Sequence, residues 1–286
     1  MNKLSYFIRK AAEQISAILN MTQAESSIEA SLLCQHLLVV NRAWLISHEN
    51  DFLDANQQVA FEALVQRRLN GEPMAYILGS REFYGLPLKT TSATLIPRPD
   101  TETLVEAALA KIPQKANFNI LDLGTGTGAV ALAIATHRPN CKLTAVDASS
   151  AALSVALENS QALKLKNVRL LESDWFSALN LDKEAERFDV IISNPPYIAQ
   201  DDEHLKQGDL RFEPLSALAS GVDGLDDIRK ITQDAPDYLN PNGWLMLEHG
   251  YDQADAVYLL LKARGFSQID HAKDIAGTLR VTFGAI

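Results

Sequence analysis

The sequence predicts a two-domain α/β protein, in which a small helical bundle precedes a seven-stranded, mostly parallel, doubly wound sheet. Three observations predict it. The first 72 residues place apolar side chains at helical spacing and show no strand pattern. After residue 117, short apolar runs alternate with helical patterns, as in parallel strands joined by right-handed crossovers. The first of these runs ends in a glycine-rich turn, Gly124-Thr125-Gly126-Thr127-Gly128, at the sheet edge where such folds bind ligands.

The bundle begins with Leu4, Phe7, Ile8, Ala11, Ile15, Ile18 and Leu19 on one helix. Thr22 and Glu25 then form a capping box, each bonding to the other's backbone at the start of a second helix through Val40. A short helix around Arg42–His48 follows. Asp54 caps a fourth helix, and Gly71 stands where a left-handed terminating residue belongs. Residues 1–72 hold 6 Lys and Arg against 8 Asp and Glu, so the domain is no basic nucleic-acid arm. Its functional reading is a docking domain for a macromolecular substrate, and its structural one a cap. Residues 73–100 read as a hairpin linker, with Tyr76–Gly79 and Glu82–Leu88 as its strands. Residues 101–286 form the catalytic domain, opening on a helix from Leu104 to Ile112.

Seven strands are expected there: Phe118–Leu123, Lys142–Asp147, Val168–Glu172, Phe188–Ser193, Trp244–Glu248, Gln268–His271 and Leu279–Phe283. Helices fall near 128–138, 149–163, 223–239 and 251–264. Only a few residues join the last two strands, so they pair antiparallel. A long irregular stretch, 198–222, directly follows the fourth strand, and loops of that length are more often functional than decorative.

Composition sets bounds on function. The apolar fraction is 47% and the charged fraction 22%, ordinary for a globular protein, and no apolar run is long enough to span a membrane. No signal-peptide pattern opens the sequence, so a cytoplasmic location is expected. Cys34 and Cys141 are far apart, without metal-ligand spacing, and read as buried free thiols. A net charge of -10 argues against a mainly electrostatic grip on nucleic acid.

The chemistry gathers at strand ends. Gly124, Gly126 and Ala129 alone fit a dinucleotide fingerprint. Asp122, just before the loop, would repel a pyrophosphate and attract an ammonium group. S-adenosylmethionine carries an ammonium and a sulfonium and no phosphate. Asp147 ends the second strand, where an acid bonds both ribose hydroxyls, a role NAD would also use. Asp174 and Trp175 follow the third strand, beside the expected adenine. The fourth strand ends in Asn194-Pro195-Pro196-Tyr197, a turn stiffened by two fixed proline φ angles. Asn194 Oδ1 and the Pro195 carbonyl can together accept both hydrogens of a planar NH2 group. That grip favours pyramidal nitrogen and aims its lone pair at a methyl donor, while Tyr197 covers the flat face.

With these motifs in place, the chain resembles the bacterial release-factor glutamine methyltransferases, the HemK or PrmC family. The likeness covers nearly the whole chain. Its glycine loop marks the Rossmann-like S-adenosylmethionine-dependent methyltransferases at large, and Asn194–Tyr197 marks those acting on planar nitrogens. Ile96-Pro97-Arg98-Pro99-Asp100-Thr101-Glu102 and Leu247-Glu248-His249-Gly250 are more specific to the family. The resemblance implies donor contacts from Gly124, Thr125, Gly126, Thr127, Gly128, Asp147, Trp175 and Asn194. It implies that Asn194, Pro195, Pro196 and Tyr197 hold and activate a glutamine amide, with no metal. The implied substrate is the Gly-Gly-Gln glutamine of class I peptide chain release factors, and S-adenosylhomocysteine is the second product. A monomer with no direct nucleic-acid or membrane contact is expected. Arg98 and Glu102 read as scaffold or linker residues, with a role toward the substrate as the alternative. Three rivals stand: a glutamine methyltransferase for a ribosomal protein, an amino methyltransferase acting on DNA or RNA bases, and an NAD-dependent oxidoreductase. The last leaves Asn194–Tyr197 without a role.

Overall fold

The computed structural model of the chain describes residues 3–180 and 187–286. Met1, Asn2 and residues 181–186 fall inside the expected domains 1–72 and 101–286 and lie outside the described residues. The chain divides into two compact units, Met1–Gly79 and Ser80–Ile286.

The first unit is helical: α1 (Leu4–Leu19), α2 (Gln23–Leu38), α3 (Arg42–Ser47), α4 (Ala55–Leu69) and α5 (Met74–Leu78). Thr22 and Glu25 form the expected capping box on α2, and Asp54 with Gln57 forms a second one on α4. Leu4, Phe7, Ile15, Leu33, Phe61 and Ile77 fill its core. Cys34 is part of that core, where burial pushes its thiol up to about 12, so it stays an inert packing group. Helix α5 corrects the reading of Tyr76–Gly79 as a strand. Ala75 and Ile77 bury one side of a helical turn, and Gly79, at φ 72°, is its left-handed terminating residue rather than hairpin punctuation.

The hairpin comes next, as β1 (Ser80–Phe83) and β2 (Leu86–Lys89), paired antiparallel. Tyr84 and Gly85 both have positive φ, 50° and 77°, as a two-residue primed turn requires. The remaining elements are α6 (Glu102–Lys111), β3 (Asn119–Leu123), α7 (Ala129–His137), β4 (Lys142–Asp147), α8 (Ser150–Ala162), β5 (Val168–Glu172), β6 (Phe188–Ser193), α9 (Asp226–Tyr238), β7 (Leu239–Glu248), α10 (Ala254–Ala263), β8 (Ser267–Lys273) and β9 (Leu279–Ala285). The seven strands form one sheet in the order β5-β4-β3-β6-β7-β9-β8, parallel except for the two antiparallel pairs made by β9. Strand β7 starts earlier than expected. The register shifts at Asn240–Gly243, between two ladder segments pairing Phe188 with Leu239 and Val190 with Trp244.

The central strands are apolar on both faces because helices cover both. Ile120, Val190, Ile192 and Met246 pack with Leu104 of α6 and the Ala-rich α7. Leu121, Ile191, Leu245 and Leu247 face the other way, onto Ile228 and Ile231 of α9 and Leu261 of α10. The strand order reverses direction between β3 and β6, and at such a switch point the two following loops diverge and open a crevice at the carboxyl edge.

Candidate active site

Parallel register places the strand ends in a row. Asp147 pairs with Glu172, Leu123 with Ser193, and Ser193 with Leu247. Along one sheet edge the chain therefore presents, in order, the Trp175 turn, Asp147, the glycine loop, Asn194 and Glu248. A cavity of about 390 Å³ opens there. Its walls include Gly124, Gly126, Asp147, Asp174, Trp175, Asn194 and Pro196, six of them singled out by sequence and the seventh, Asp174, placed beside them. A smaller, adjoining space is lined by Asp122, Thr125, Thr127, Thr101 and again Asn194. Gly128 lines neither space: a Cβ there would meet Leu132 Cδ1 at 3.0 Å, which makes it a packing glycine at the start of α7.

The glycine loop is held from below by two carboxylates. Asp147 accepts the Gly126 N–H at 2.8 Å and the Ser149 N–H at 2.9 Å. Asp122 is buried and accepts the Thr125 hydroxyl at 2.6 Å; burial pushes its carboxyl up to about 6, against the pull of that bond. Gly124, Gly126 and Gly128 have φ of 72°, 57° and 84°, which side chains resist. A Cβ on Gly124 would also lie 3.4 Å from Trp175 Cζ3, so the ring closes on the loop. Trp175 itself sits at φ 50°, a strained setting for a bulky residue, with its carbonyl accepting the Ser173 hydroxyl at 2.7 Å. Asp174, read from sequence as an adenine acceptor, pairs with Lys230 Nζ at 2.9 Å.

The Asn194–Tyr197 turn is fixed from three sides. Pro195 and Pro196 are buried. The Ser193 hydroxyl donates to the Leu123 carbonyl at 2.8 Å, tying β6 to the glycine loop's strand. The Tyr197 carbonyl accepts from Gln253 Nε2 at 3.0 Å. Asn194 Nδ2 donates to Thr101 Oγ1 at 3.1 Å, and the Thr101 hydroxyl donates to Glu248 Oε1 at 3.2 Å. Tyr197 Oη donates to the same oxygen at 3.3 Å. Glu248 is buried, and burial pushes its carboxyl up to about 7, although Thr101, Tyr197 and Arg280 all favour its charge. Its second oxygen, Oε2, has no partner among the described residues. Burial likewise raises the Tyr197 hydroxyl, with the Glu248 charge adding to it.

Sequence reasoning quoted Thr101 and Glu248 only as parts of motifs and gave neither a role. Their meeting is a long-range pairing that no local pattern carries. Arg98 and Glu102 are both engaged within the protein: Arg98 pairs with buried Glu213, which also accepts the Ile96 N–H at 3.0 Å, and Glu102 accepts the Tyr84 N–H at 2.9 Å. Glu213 lies in the long 198–222 stretch, whose base closes through Ile198 N–H to Leu218 O at 2.9 Å and Ser220 N–H to Ile198 O at 2.8 Å. From that stretch Pro214, Ser216 and Ala217 line the main cavity.

Among the lining residues there are three aspartates, Asp147, Asp174 and Asp227, and no Lys, Arg or His. The only charged side chains a pyrophosphate would meet on that lining are carboxylates. A ligand carrying positive charge and no phosphate fits, and S-adenosylmethionine is such a ligand.

Comparisons with known proteins agree with this geometry. The profile described as "Methyltransferase domain" matches residues 114–274, and that described as "PrmC N-terminal domain" matches residues 10–79. A "Release factor glutamine methyltransferase" of Xylella fastidiosa (strain 9a5c) is 47% identical over 270 residues, 94% of this chain and 97% of that protein. One of Escherichia coli (strain K12) is 43% identical over 279 residues, 98% and 97% of the two chains. Among solved structures, a T. thermophilus 16S rRNA N2 G1207 methyltransferase in complex with AdoMet and guanosine aligns with a TM-score of 0.52 at 22% identity, covering 72% of this chain and 49% of that one, a likeness of fold alone.

Proposed function

The chain belongs to the release factor glutamine methyltransferase family, and on that footing we propose that it methylates the side-chain amide nitrogen of a glutamine, the one in the Gly-Gly-Gln motif of class I peptide chain release factors. S-adenosylmethionine is the donor, and N5-methylglutamine and S-adenosylhomocysteine are the products. The single observation that carries this reading is the placement of Asn194 on the wall shared by the cation-free cavity and the Thr101 pocket, with its Nδ2 engaged by Thr101.

When bound, S-adenosylmethionine supplies an electrophilic methyl group on a sulfonium. The glycine loop, Gly124 to Gly128, shapes its seat. Asp147 uses two acceptor sites on Gly126 and Ser149 and keeps others for ribose hydroxyls. Trp175 walls the adenine side.

With Nδ2 held by Thr101, Asn194 presents Oδ1 as an acceptor. The Pro195 carbonyl supplies a second, since proline lacks only the N–H. Two acceptors on one NH2 group weaken amide delocalisation and aim the lone pair. The rate gain is one of orientation and electrostatics, and orientation alone is worth about 7–11 kcal/mol in favourable cases. The amide proton leaves to solvent after the nitrogen is alkylated, so no general base precedes attack. Pro196 holds the turn's shape, and Tyr197 covers the amide's flat face.

The helical unit Met1–Gly79 serves as the docking domain for the factor, and the protein acts as a cytoplasmic monomer. The net charge of -10 favours a protein partner over nucleic acid. Incubation with labelled S-adenosylmethionine, purified release factors, ribosomal proteins and duplex DNA tests the reading. Label is expected on the factor's Gly-Gly-Gln glutamine. Label on DNA or ribosomal protein with none on the factor overturns it.

A further inference from the structure

We infer that Thr101 and Glu248 are positioning residues that set which end of the Asn194 amide faces the substrate. The inference rests on the reading that Asn194 Oδ1 grips the substrate NH2 group.

An asparagine amide is nearly symmetric in shape but opposite in polarity at its two ends. In this site only one orientation works. With Oδ1 toward the substrate, an acceptor meets an NH2 donor. With Nδ2 toward it, two donors meet and the amide is repelled. Thr101 alone does not choose between them, because a hydroxyl both donates and accepts. It bonds either amide end equally well by rotating its hydrogen.

Glu248 breaks the tie. Its Oε1 accepts whether the group is ionised or carries its proton on Oε2, which has no partner among the described residues, so the Thr101 hydrogen points to Oε1, at 3.2 Å. The Thr101 lone pairs then face Asn194 and take the Nδ2 hydrogen at 3.1 Å. The chain Asn194–Thr101–Glu248 thus has one direction, and that direction leaves Oδ1 for the substrate. Tyr197 Oη donates to the same Oε1, so one carboxylate orients both side chains of the turn.

Two features mark this as more than packing. Thr101 ends the 3-10 turn Pro99–Thr101 that runs into α6, and its side chain makes no capping bond to the helix. Its hydroxyl is spent on the site instead. Both Thr101 and Glu248 are buried, so water does not compete for either link. The two family motifs left without a chemical role, 96–102 and 247–250, meet through this pair of bonds.

The test is Thr101→Val, which keeps shape and removes the hydroxyl, measured beside Thr101→Ser and Asn194→Ala. Thr101→Val is expected to lower kcat roughly 10- to 100-fold, in the range for loss of one orienting hydrogen bond. Donor affinity by calorimetry is expected to stay within about threefold, and Thr101→Ser to recover most of the rate. Full activity in Thr101→Val, or equal loss in the Val and Ser variants, overturns the inference; the second result would assign the role to the methyl group. If Thr101→Val does not fold, Glu248→Gln decides. Its amide can enter the chain in either direction, so kcat is expected to fall about two- to tenfold at unchanged donor affinity, and an unchanged kcat overturns the inference. Full activity in Asn194→Ala, by contrast, overturns the function proposed above as well.

Discussion

Two neighbouring strand ends do different work by opposite means. The loop after β3 is built from glycines at positive φ, and the turn after β6 from two prolines. Both leave the sheet at paired positions, Leu123 and Ser193. The glycine loop frees backbone to approach a large ligand, and two carboxylates below it hold its shape. The proline turn freezes backbone so that one side chain and one carbonyl converge on a small group. In the proposed function, donor binding is thus spread over many contacts, whereas transfer is concentrated in few. Substitutions at the two ends should separate affinity from rate.

The largest effect is expected at the stiff end. Asn194→Ala removes one of the two acceptors proposed to orient the nucleophile. A fall in kcat of about 10²–10³-fold is expected, by analogy with loss of one preorganised polar group. Donor affinity should change little, because the glycine loop and Asp147 are untouched. Single-turnover kinetics with calorimetry of S-adenosylmethionine binding checks both. A loss of donor affinity as large as the loss of rate would merge the two ends into one site.

Legibility in the sequence followed the same division. The glycine loop, Asp147 and Asn194–Tyr197 are local words, each written in consecutive residues at the end of an apolar run. Strands β4, β5 and β6 were readable to the residue for a related reason: each is a short, mostly apolar run bounded by turn signals or charged residues. Pairings distant in sequence were not readable. Thr101 and Glu248 are 147 residues apart, and Arg98 and Glu213 are 115 apart. Nothing local announces that a helix N-cap will give its hydroxyl to a strand end. Tyr76–Gly79 misled because a short apolar run ending in glycine suits either a strand or a final helical turn, and packing of Ala75 and Ile77 decided it. Trp175 was found by position, but its left-handed backbone was not foreseeable.

A smaller effect, of the other kind, is expected at Asp147. Asp147→Asn keeps the shape but weakens charge-assisted bonds to Gly126 and Ser149 and to the ribose. Such bonds contribute about 1.5–3 kcal/mol, so the donor Kd should rise about 10- to 100-fold. At saturating donor, kcat should stay within a few fold. A kcat loss that extra donor does not rescue would show that the loop also orients the reacting group, and the contrast between the two ends would weaken.

The smallest effect concerns the buried carboxylates beneath the two ends. Asp122 lies under the glycine loop at about 6, and Glu248 under the proline turn at about 7, raised by burial from 3.8 and 4.5. For both, the folded value exceeds the unfolded one. Each group's contribution to stability is therefore intact below pH 4 or so and is lost as pH rises through the folded value, levelling off above it. The loss runs from about pH 4 to 6 for Asp122 and from about pH 4.5 to 7 for Glu248. Between those limits it amounts to about 1 kcal/mol for each pH unit. Denaturant melts at intervals from about pH 4 to 8 should show this decline. Asp122→Asn should flatten its lower half and Glu248→Gln its upper half. If either substitution flattened the whole decline, the two strand ends would share a single titrating unit, and the separation of their roles would have to be sought in their side chains alone.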